Sequence, residues 1–313
     1  MTVRLFIPLI PFGFLAVATA AWHTDHRATP GGYRTLANAC GDAAVVSEAP
    51  ASPRQGALFR VRVSGVPKGT TLSGTVAGEA LHFVPAAGTT WLQSFAGVPI
   101  DATDSLGIEV VCGTAERTDT LRARVATKHG EYPVERLTVA PTFGRPPDSA
   151  LAARMKREAE HANAVAVASH ETPRLWTKPF IHPRDSRITS GFGRGREFNG
   201  AVTSRHMGTD FAGATGDSVR AANRGVVRIV GHFYLGGNVI YVDHGAGLTT
   251  AYLHLSRQLV AEGDTVQRGQ AIGKVGATGR VTGPHLHLIV RYGRVTVDPL
   301  SLFAIAGEST SKP

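Results

Sequence analysis

The sequence predicts a mostly β protein in which two antiparallel β domains are joined by one helix. The 313 residues include 36 glycines and 18 prolines, a composition that favours short strands and tight turns over long helices. Short runs of alternating polar and apolar residues occur on both sides of a single helical segment. The length suits two domains better than one small module. We therefore expect an N-terminal antiparallel β-sandwich, a helical connector and a C-terminal domain built on an antiparallel β-sheet.

The first twenty residues have the features of a secretory signal peptide. Met1–Arg4 is a short basic start, Leu5–Ala18 is an apolar run, and Ala18-Thr19-Ala20 supplies small residues at the cleavage positions. Pro8 and Pro11 interrupt the run and argue against a transmembrane helix. We expect residues 1–20 to direct export to the periplasm or cell envelope. Retention as an uncleaved anchor is the alternative, and it is the only membrane attachment that the sequence offers.

Two cysteines, Cys40 and Cys112, limit the sulfur chemistry of the chain. A thiolate metal cluster needs three or four sulfurs and is therefore excluded. In an oxidising compartment, two cysteines of one region usually form a disulfide bond. The alternative is a pair of buried free thiols.

Residues 21–140 are expected to form the N-terminal β-sandwich, of the immunoglobulin-like (Ig-like) kind. Short strand-like segments follow one another with turn residues between them, which is typical of a small antiparallel sandwich. These segments are Leu58–Val63, Leu81–Val84, Leu106–Cys112 and Leu121–Ala126.

Residues 141–175 are expected to be a linker that contains a helix. The proline-rich stretch Pro141–Pro147 breaks regular structure, and Asp148 or Ser149 can then cap a helix that runs to about Ser169. Residues 176–305 return to strands and turns, and they hold seven of the 13 histidines.

Three histidine motifs in this C-terminal region carry the candidate chemistry. His206 and Asp210 stand four residues apart among glycines that favour a strand and its turn. His285 and His287 are two apart on an apolar strand, so both side chains face the same side. His254 alternates with leucines on another strand. Imidazole and carboxylate groups are natural zinc ligands, and a catalytic zinc needs three of them, which leaves two histidines to handle protons.

Together these motifs resemble the lysostaphin-type (LytM-like) zinc metallopeptidases, which cut peptide cross-links in bacterial peptidoglycan. The resemblance covers residues 176 to 303 approximately, with the motifs in the same order as in that family. It rests on four segments: Ser190–Gly193, His206–Asp210, Tyr252–Leu255 and Gly279–His287.

The resemblance implies that residues 176–305 are a zinc metallopeptidase domain. In that family pattern His206, Asp210 and His287 would bind Zn²⁺, and His254 and His285 would be the catalytic pair. The implied reaction is hydrolysis of an amide by zinc-activated water. How His254 and His285 divide the roles of base and acid stays open.

Two residues upstream of the first motif are candidates for the substrate groove. Arg196 and Asn199 precede His206 by a few residues, and a turn or surface role is the alternative for both. The expected substrates are peptidoglycan stem peptides or cross-bridges. A net charge of +9 fits a substrate in an anionic wall. No nucleic-acid recognition motif accompanies the charge, so nucleic acid is not an expected partner.

Two other functions remain open for the sequence. The first is a non-catalytic envelope regulator that binds or activates other cell-wall hydrolases. The presence of His206, Asp210 and His287 argues against that function. The second is an inhibitory role for the N-terminal sandwich, which could cover the groove of the C-terminal domain.

Overall fold

The computed structural model describes residues 39–48, 50–86 and 88–307. The predicted signal peptide at residues 1–20 lies outside these residues. Strands are the commonest regular elements of the described chain and form mainly antiparallel sheets, so the predicted mostly β fold is confirmed.

The N-terminal part consists of short strands followed by a helix. Its strands are β1 (Ala44–Glu48), β2 (Leu58–Ser64), β3 (Thr71–Val76), β4 (Glu79–Ala80), β5 (Val84–Pro85), β6 (Leu92–Gly97), β7 (Ser105–Gly113), β8 (Thr118–Ala126) and β9 (Val134–Leu137). A 3-10 turn at Pro141–Phe143 then leads to the helix α1 (Ser149–Ala168).

The C-terminal part is again built of strands. These are β10 (Ile188–Ser190), β11 (Gly195–Phe198), β12 (Val202–Arg205), β13 (Thr209–Ala212), β14 (Ser218–Arg220), β15 (Gly225–Phe233), β16 (Gly237–Gly245), β17 (Leu248–Leu255), β18 (Arg257–Gln258), β19 (Thr265–Val266), β20 (Ala271–Lys274), β21 (His285–Tyr292) and β22 (Val295–Val297). The helix α2 (Pro299–Gly307) ends the described chain.

Strands β1 to β8 form two four-stranded sheets, whereas β9 joins β11 and β12 in a separate three-stranded sheet. The strand orders of the four-stranded sheets are β1-β2-β6-β5 and β4-β3-β7-β8. The alternating side chains of β2 and β7, such as Val61 and Val110, lie fully buried in one apolar core shared by both sheets. Cys40 and Cys112 belong to the same core and are joined by a disulfide bond. The two sheets thus enclose a sandwich core, whereas its Ig-like character stays a prediction.

The segment Leu81–Val84 does not form the strand that its sequence predicts. The chain changes sheets here, because β4 pairs with β3 and β5 pairs with β6. The backbone N–H of Leu81 donates to the Gly74 carbonyl, and that of His82 donates to the Ser94 hydroxyl. A crossing between sheets satisfies these backbone groups individually, so no continuous ladder can form.

The helix α1 begins where its capping residue predicts. The Asp148 carboxylate accepts a hydrogen bond from the backbone N–H of Leu151, at 2.8 Å. Further along, Ala162 packs against Ile229, Val239 and Tyr241 of β15 and β16. The helix therefore covers part of the C-terminal sheet as well as connecting two regions. Neither helix of the described residues is both long and apolar enough to cross a membrane.

The C-terminal sheet has the strand order β10-β13-β21-β17-β16-β15-β19, and β22 pairs with the second half of β21 on the edge opposite β17. Its neighbouring strands are antiparallel. One face of the sheet buries Phe211, Tyr252, Leu286 and Leu288 in an apolar core. Because side chains alternate along a strand, Asp210 and His287 are turned to the opposite face. That opposite face is the one on which α1 packs.

His244 in β16 is fully buried and predicts a pH-dependent stability of this domain. Its Nδ1 donates to the Arg224 carbonyl at 2.8 Å, and its Nε2 accepts from the Thr250 hydroxyl at 2.9 Å. Burial lowers the pKa of His244 from 6.5 to about 4, so the unfolded chain binds more protons between these pH values. We expect the free energy of unfolding to fall by up to about 3 kcal/mol as the pH falls through this window.

Urea unfolding across a pH series checks this expectation. The His244→Gln variant should lose this part of the pH dependence, whereas His232→Gln, at an exposed position, should keep it. Identical pH profiles for wild type and His244→Gln would contradict the assignment.

Candidate metal centre

The predicted metal ligands and catalytic histidines come together on three adjacent strands and on the short segment that leads into one of them. Strand β21 lies between β13 and β17, and it places His285 and His287 at its start. Asp210 of β13 is paired directly with His287, and His206 stands just after β12. His254 is the penultimate residue of β17. Residues that lie far apart in sequence are therefore brought together by strand pairing.

Three donor atoms meet in a buried cluster. Asp210 Oδ1 lies 2.7 Å from His287 Nδ1 and 3.0 Å from His206 Nε2, and these two nitrogens are 2.9 Å apart. The three residues are 2–7% exposed. Their ligand atoms all lie within 4.8 Å of one another, a grouping that could hold a metal ion.

The local backbone orients His206 toward this cluster. Its Nδ1 lies 2.8 Å from the Gly191 carbonyl oxygen, which can only accept a hydrogen bond, so the proton is assigned to Nδ1. The lone pair of Nε2 then points at Asp210 and His287. A ring held in this way by a backbone carbonyl is the usual arrangement of a histidine that binds a metal.

The chemistry of the donor set fits a divalent metal ion. Two imidazole nitrogens and one carboxylate oxygen are ligands that zinc uses in catalytic sites. Burying three such atoms so close together is costly unless a cation or shared protons hold them together. The Asp210 carboxyl is the anionic member: burial alone would raise its pKa, but its close polar contacts with His206 and His287 hold that pKa below its ordinary value. Burial lowers the pKa of His287 to about 4, which keeps its ring neutral.

His254 and His285 form a second pair beside the cluster. Their ring centroids are 4.9 Å apart, and His254 lies 5.7 Å from the His287 ring. His285 Nδ1 faces the Gly283 carbonyl at 2.8 Å, and His254 Nδ1 faces the Thr278 carbonyl at 2.9 Å. Both Nε2 atoms are therefore left with lone pairs. His285 Nε2 is buried and has no hydrogen-bond partner among the residues that the structure describes.

A β-bulge turns His254 toward this pair. The register of β16 and β17 shifts between the pairs Ile240–Tyr252 and Asn238–Leu255, so β17 contains one extra residue. His254 itself has a φ of 64°, in the left-handed region that residues other than glycine rarely adopt. Strict alternation from the buried Tyr252 would have directed His254 into the apolar core. The bulge instead places its ring near His285 and His287.

Arg196 and Asn199 occupy different places. The Arg196 guanidinium donates to Asp210 Oδ2 at 2.6 Å, so this residue lies at the cluster and is bound to a candidate ligand. The Asn199 side chain accepts from the N–H of Val139 and donates to its carbonyl, away from the cluster. Arg196 therefore lies at the site, whereas Asn199 is hydrogen-bonded to the backbone of Val139.

Sequence reasoning missed the acidic residue behind Arg196. Glu135 of β9 contacts Ser190, Arg194 and Arg196. It lies in the N-terminal half of the chain, and no motif or spacing around it distinguishes it from a surface glutamate. Only the pairing of β9 with β11 reveals its position.

Comparisons with known proteins agree with this geometry. Residues 204–299 match the model of Peptidase family M23. The peptidoglycan DD-endopeptidase ShyA of Vibrio cholerae is 48% identical over 117 residues, which cover 35% of this chain and 27% of ShyA. The peptidoglycan DD-endopeptidase ShyC of the same organism is 43% identical over 118 residues, which cover 36% of this chain and 27% of ShyC. The matches thus span about a quarter of the length of these curated relatives.

A solved structure extends the likeness beyond the matched domain. The crystal structure of a candidate M23 peptidase from Pseudomonas aeruginosa has a TM-score of 0.60 and 25% sequence identity to this chain. The similarity covers 80% of this chain and 95% of that one. Residues 204–299 of this chain are therefore similar to peptidase family M23, and its wider fold is similar to that of the Pseudomonas aeruginosa structure.

Proposed function

We propose that this protein is an exported, zinc-dependent endopeptidase that hydrolyses peptide cross-links of bacterial peptidoglycan. The observation that carries the proposal is the meeting of His206 Nε2, Asp210 Oδ1 and His287 Nδ1 in one buried cluster of an M23 domain. The two relatives named peptidoglycan DD-endopeptidases support the choice of substrate.

His254 and His285 supply proton transfer in this proposal. A zinc ion held by the three ligands would polarise the scissile carbonyl and activate the water that attacks it. His254 and His285 each direct an Nε2 lone pair into the site, because their Nδ1 atoms are engaged by backbone carbonyls. Burial holds the pKa of His254 well below its ordinary value, and the neighbouring His287 and His285 lower it further. His254 is therefore neutral and able to accept a proton.

The proposed substrate determines where the protein acts. Peptidoglycan stem peptides and cross-bridges lie outside the cytoplasmic membrane, so the proposal includes export to the periplasm or cell envelope. The predicted signal at residues 1–20 would provide that export. A net charge of +9 would raise the local concentration of the enzyme near an anionic wall.

Digestion of peptidoglycan by the zinc-loaded protein tests the proposal. We expect cross-linked muropeptides to disappear and their uncross-linked parts to accumulate, since hydrolysis of one amide separates two stem peptides. Mass spectrometry of the products would identify the bond from the new amine and carboxyl ends.

Metal dependence is the control for this digestion. Removal of the metal by a chelator should stop the reaction, and added Zn²⁺ should restore it. A protein that binds no zinc under metal-replete conditions, or that leaves every cross-link intact when loaded, would instead favour the non-catalytic regulator.

A further inference from the structure

A strand from outside the matched domain reaches the metal cluster. Strand β9 pairs in parallel with β11, so that Glu135 stands opposite Arg196 and Arg136 stands opposite Glu197. Residues 204–299 carry the family match, and β9 precedes them along the chain, before α1. The side chains of β9 can therefore act on the site through β11.

Glu135 is linked to two of the three candidate ligands. Arg196 donates to Asp210 Oδ2 at 2.6 Å, and Arg196 Nε lies 3.5 Å from Glu135 Oε2. The Ser190 hydroxyl lies 3.1 and 3.2 Å from the two Glu135 carboxylate oxygens and 3.3 Å from His206 Nδ1. The Glu135 carboxylate thus contacts two residues that lie beside the candidate ligands, Arg196 and Ser190.

The charges of Arg196 and Glu135 predict how Glu135 affects metal binding. An arginine beside a ligand carboxylate competes with a metal ion for that carboxylate and repels the ion. Glu135 opposes both effects, because its negative charge balances Arg196 and draws the guanidinium toward β9. The pair is well shielded from water, since the side chains of Arg196 and Glu135 are 15% and 21% exposed.

We propose that Glu135 is a positioning residue that sets the metal affinity of the His206–Asp210–His287 cluster through Arg196 and Ser190. The inference rests on the proposed function in one respect, namely that the bound metal is zinc. It adds that β9, which lies between the N-terminal sheets and α1, contributes to metal binding.

The test compares two charge-removing substitutions on one strand pair. Glu135→Gln keeps the shape of the side chain, and we expect Zn²⁺ affinity about tenfold weaker, measured at fixed pH by competition with a chromophoric chelator. Glu197→Gln is the matched control. It removes the Glu197–Arg136 ion pair, at 3.5 Å on the adjacent rung, and should stay within about twofold of wild type.

A double variant shows whether Glu135 acts through Arg196. In an Arg196→Gln background, the further change Glu135→Gln should weaken zinc binding by less than about threefold, because the uncompensated charge is gone. A full tenfold loss in that background would contradict the route through Arg196.

The outcomes separate this inference from the proposed function. Equal zinc affinities of Glu135→Gln and Glu197→Gln would overturn the inference, even if wild type binds zinc tightly. A wild-type protein that binds no zinc would overturn the proposed function instead. Thermal unfolding of the metal-free proteins shows whether each variant is folded. If Glu135→Gln is not folded, Glu135→Asp replaces it in the test. Its shorter side chain withdraws the carboxylate from Arg196, so the same loss of Zn²⁺ affinity is expected.

Discussion

Replacing His287 by alanine is expected to abolish metal binding and hydrolysis together. His287 Nδ1 lies 2.7 Å from Asp210 Oδ1 and 2.9 Å from His206 Nε2, so its removal takes away one of three donors. Two donors would remain in a buried space that the ring no longer fills. We expect Zn²⁺ affinity to fall by more than about 100-fold, beyond the range for residues that merely orient a ligand. Cross-link hydrolysis should fall to background.

The zinc-to-protein ratio after dialysis and the release of uncross-linked muropeptides measure the two losses. His232→Gln is a suitable control, because His232 is exposed and pairs with Asn238 away from the cluster. A His287→Ala protein that keeps one tightly bound zinc would contradict the ligand assignment. Retained zinc with retained turnover would place the reaction elsewhere in the molecule.

The strand patterns explain why much of this site follows from sequence. Along β21 the residues alternate strictly, so two histidines two positions apart had to share a face, with Leu286 and Leu288 in the core. The capping of α1 by Asp148 was equally local, since one side chain and one backbone N–H decide it. Predictions of this kind succeed because short-range geometry determines them.

Other features depend on contacts that sequence does not display. His254 faces the site only because β17 has a bulge, and no residue type in this part of the sequence indicates that bulge. The predicted strand at Leu81–Val84 is interrupted because the chain passes between two sheets. Glu135 meets Ser190 across a separation of 55 residues. In each case a tertiary contact overrides or supplements the local pattern.

His285→Ala is expected to separate catalysis from metal binding. His285 Nε2 lies 3.6 Å from Asp210 Oδ1, outside the set of atoms that meet within the cluster, and Gly283 holds the other ring nitrogen. Removing this ring leaves all three candidate ligands in place. We therefore expect an unchanged zinc-to-protein ratio and a turnover about 10²- to 10⁴-fold lower, the range for loss of a general acid or base. Loss of zinc would mean that His285 and His287 have exchanged roles.

His254→Ala should behave in the same way, because its Nε2 lone pair faces the same site from the neighbouring strand. Turnover of zinc-saturated single and double variants then tests whether the two histidines act together. If they serve one proton-transfer path, the double variant should be little slower than the slower single variant, since residues that act as a unit are not additive. If the two losses multiply instead, His254 and His285 act in separate steps, one on the attacking water and the other on the leaving amine.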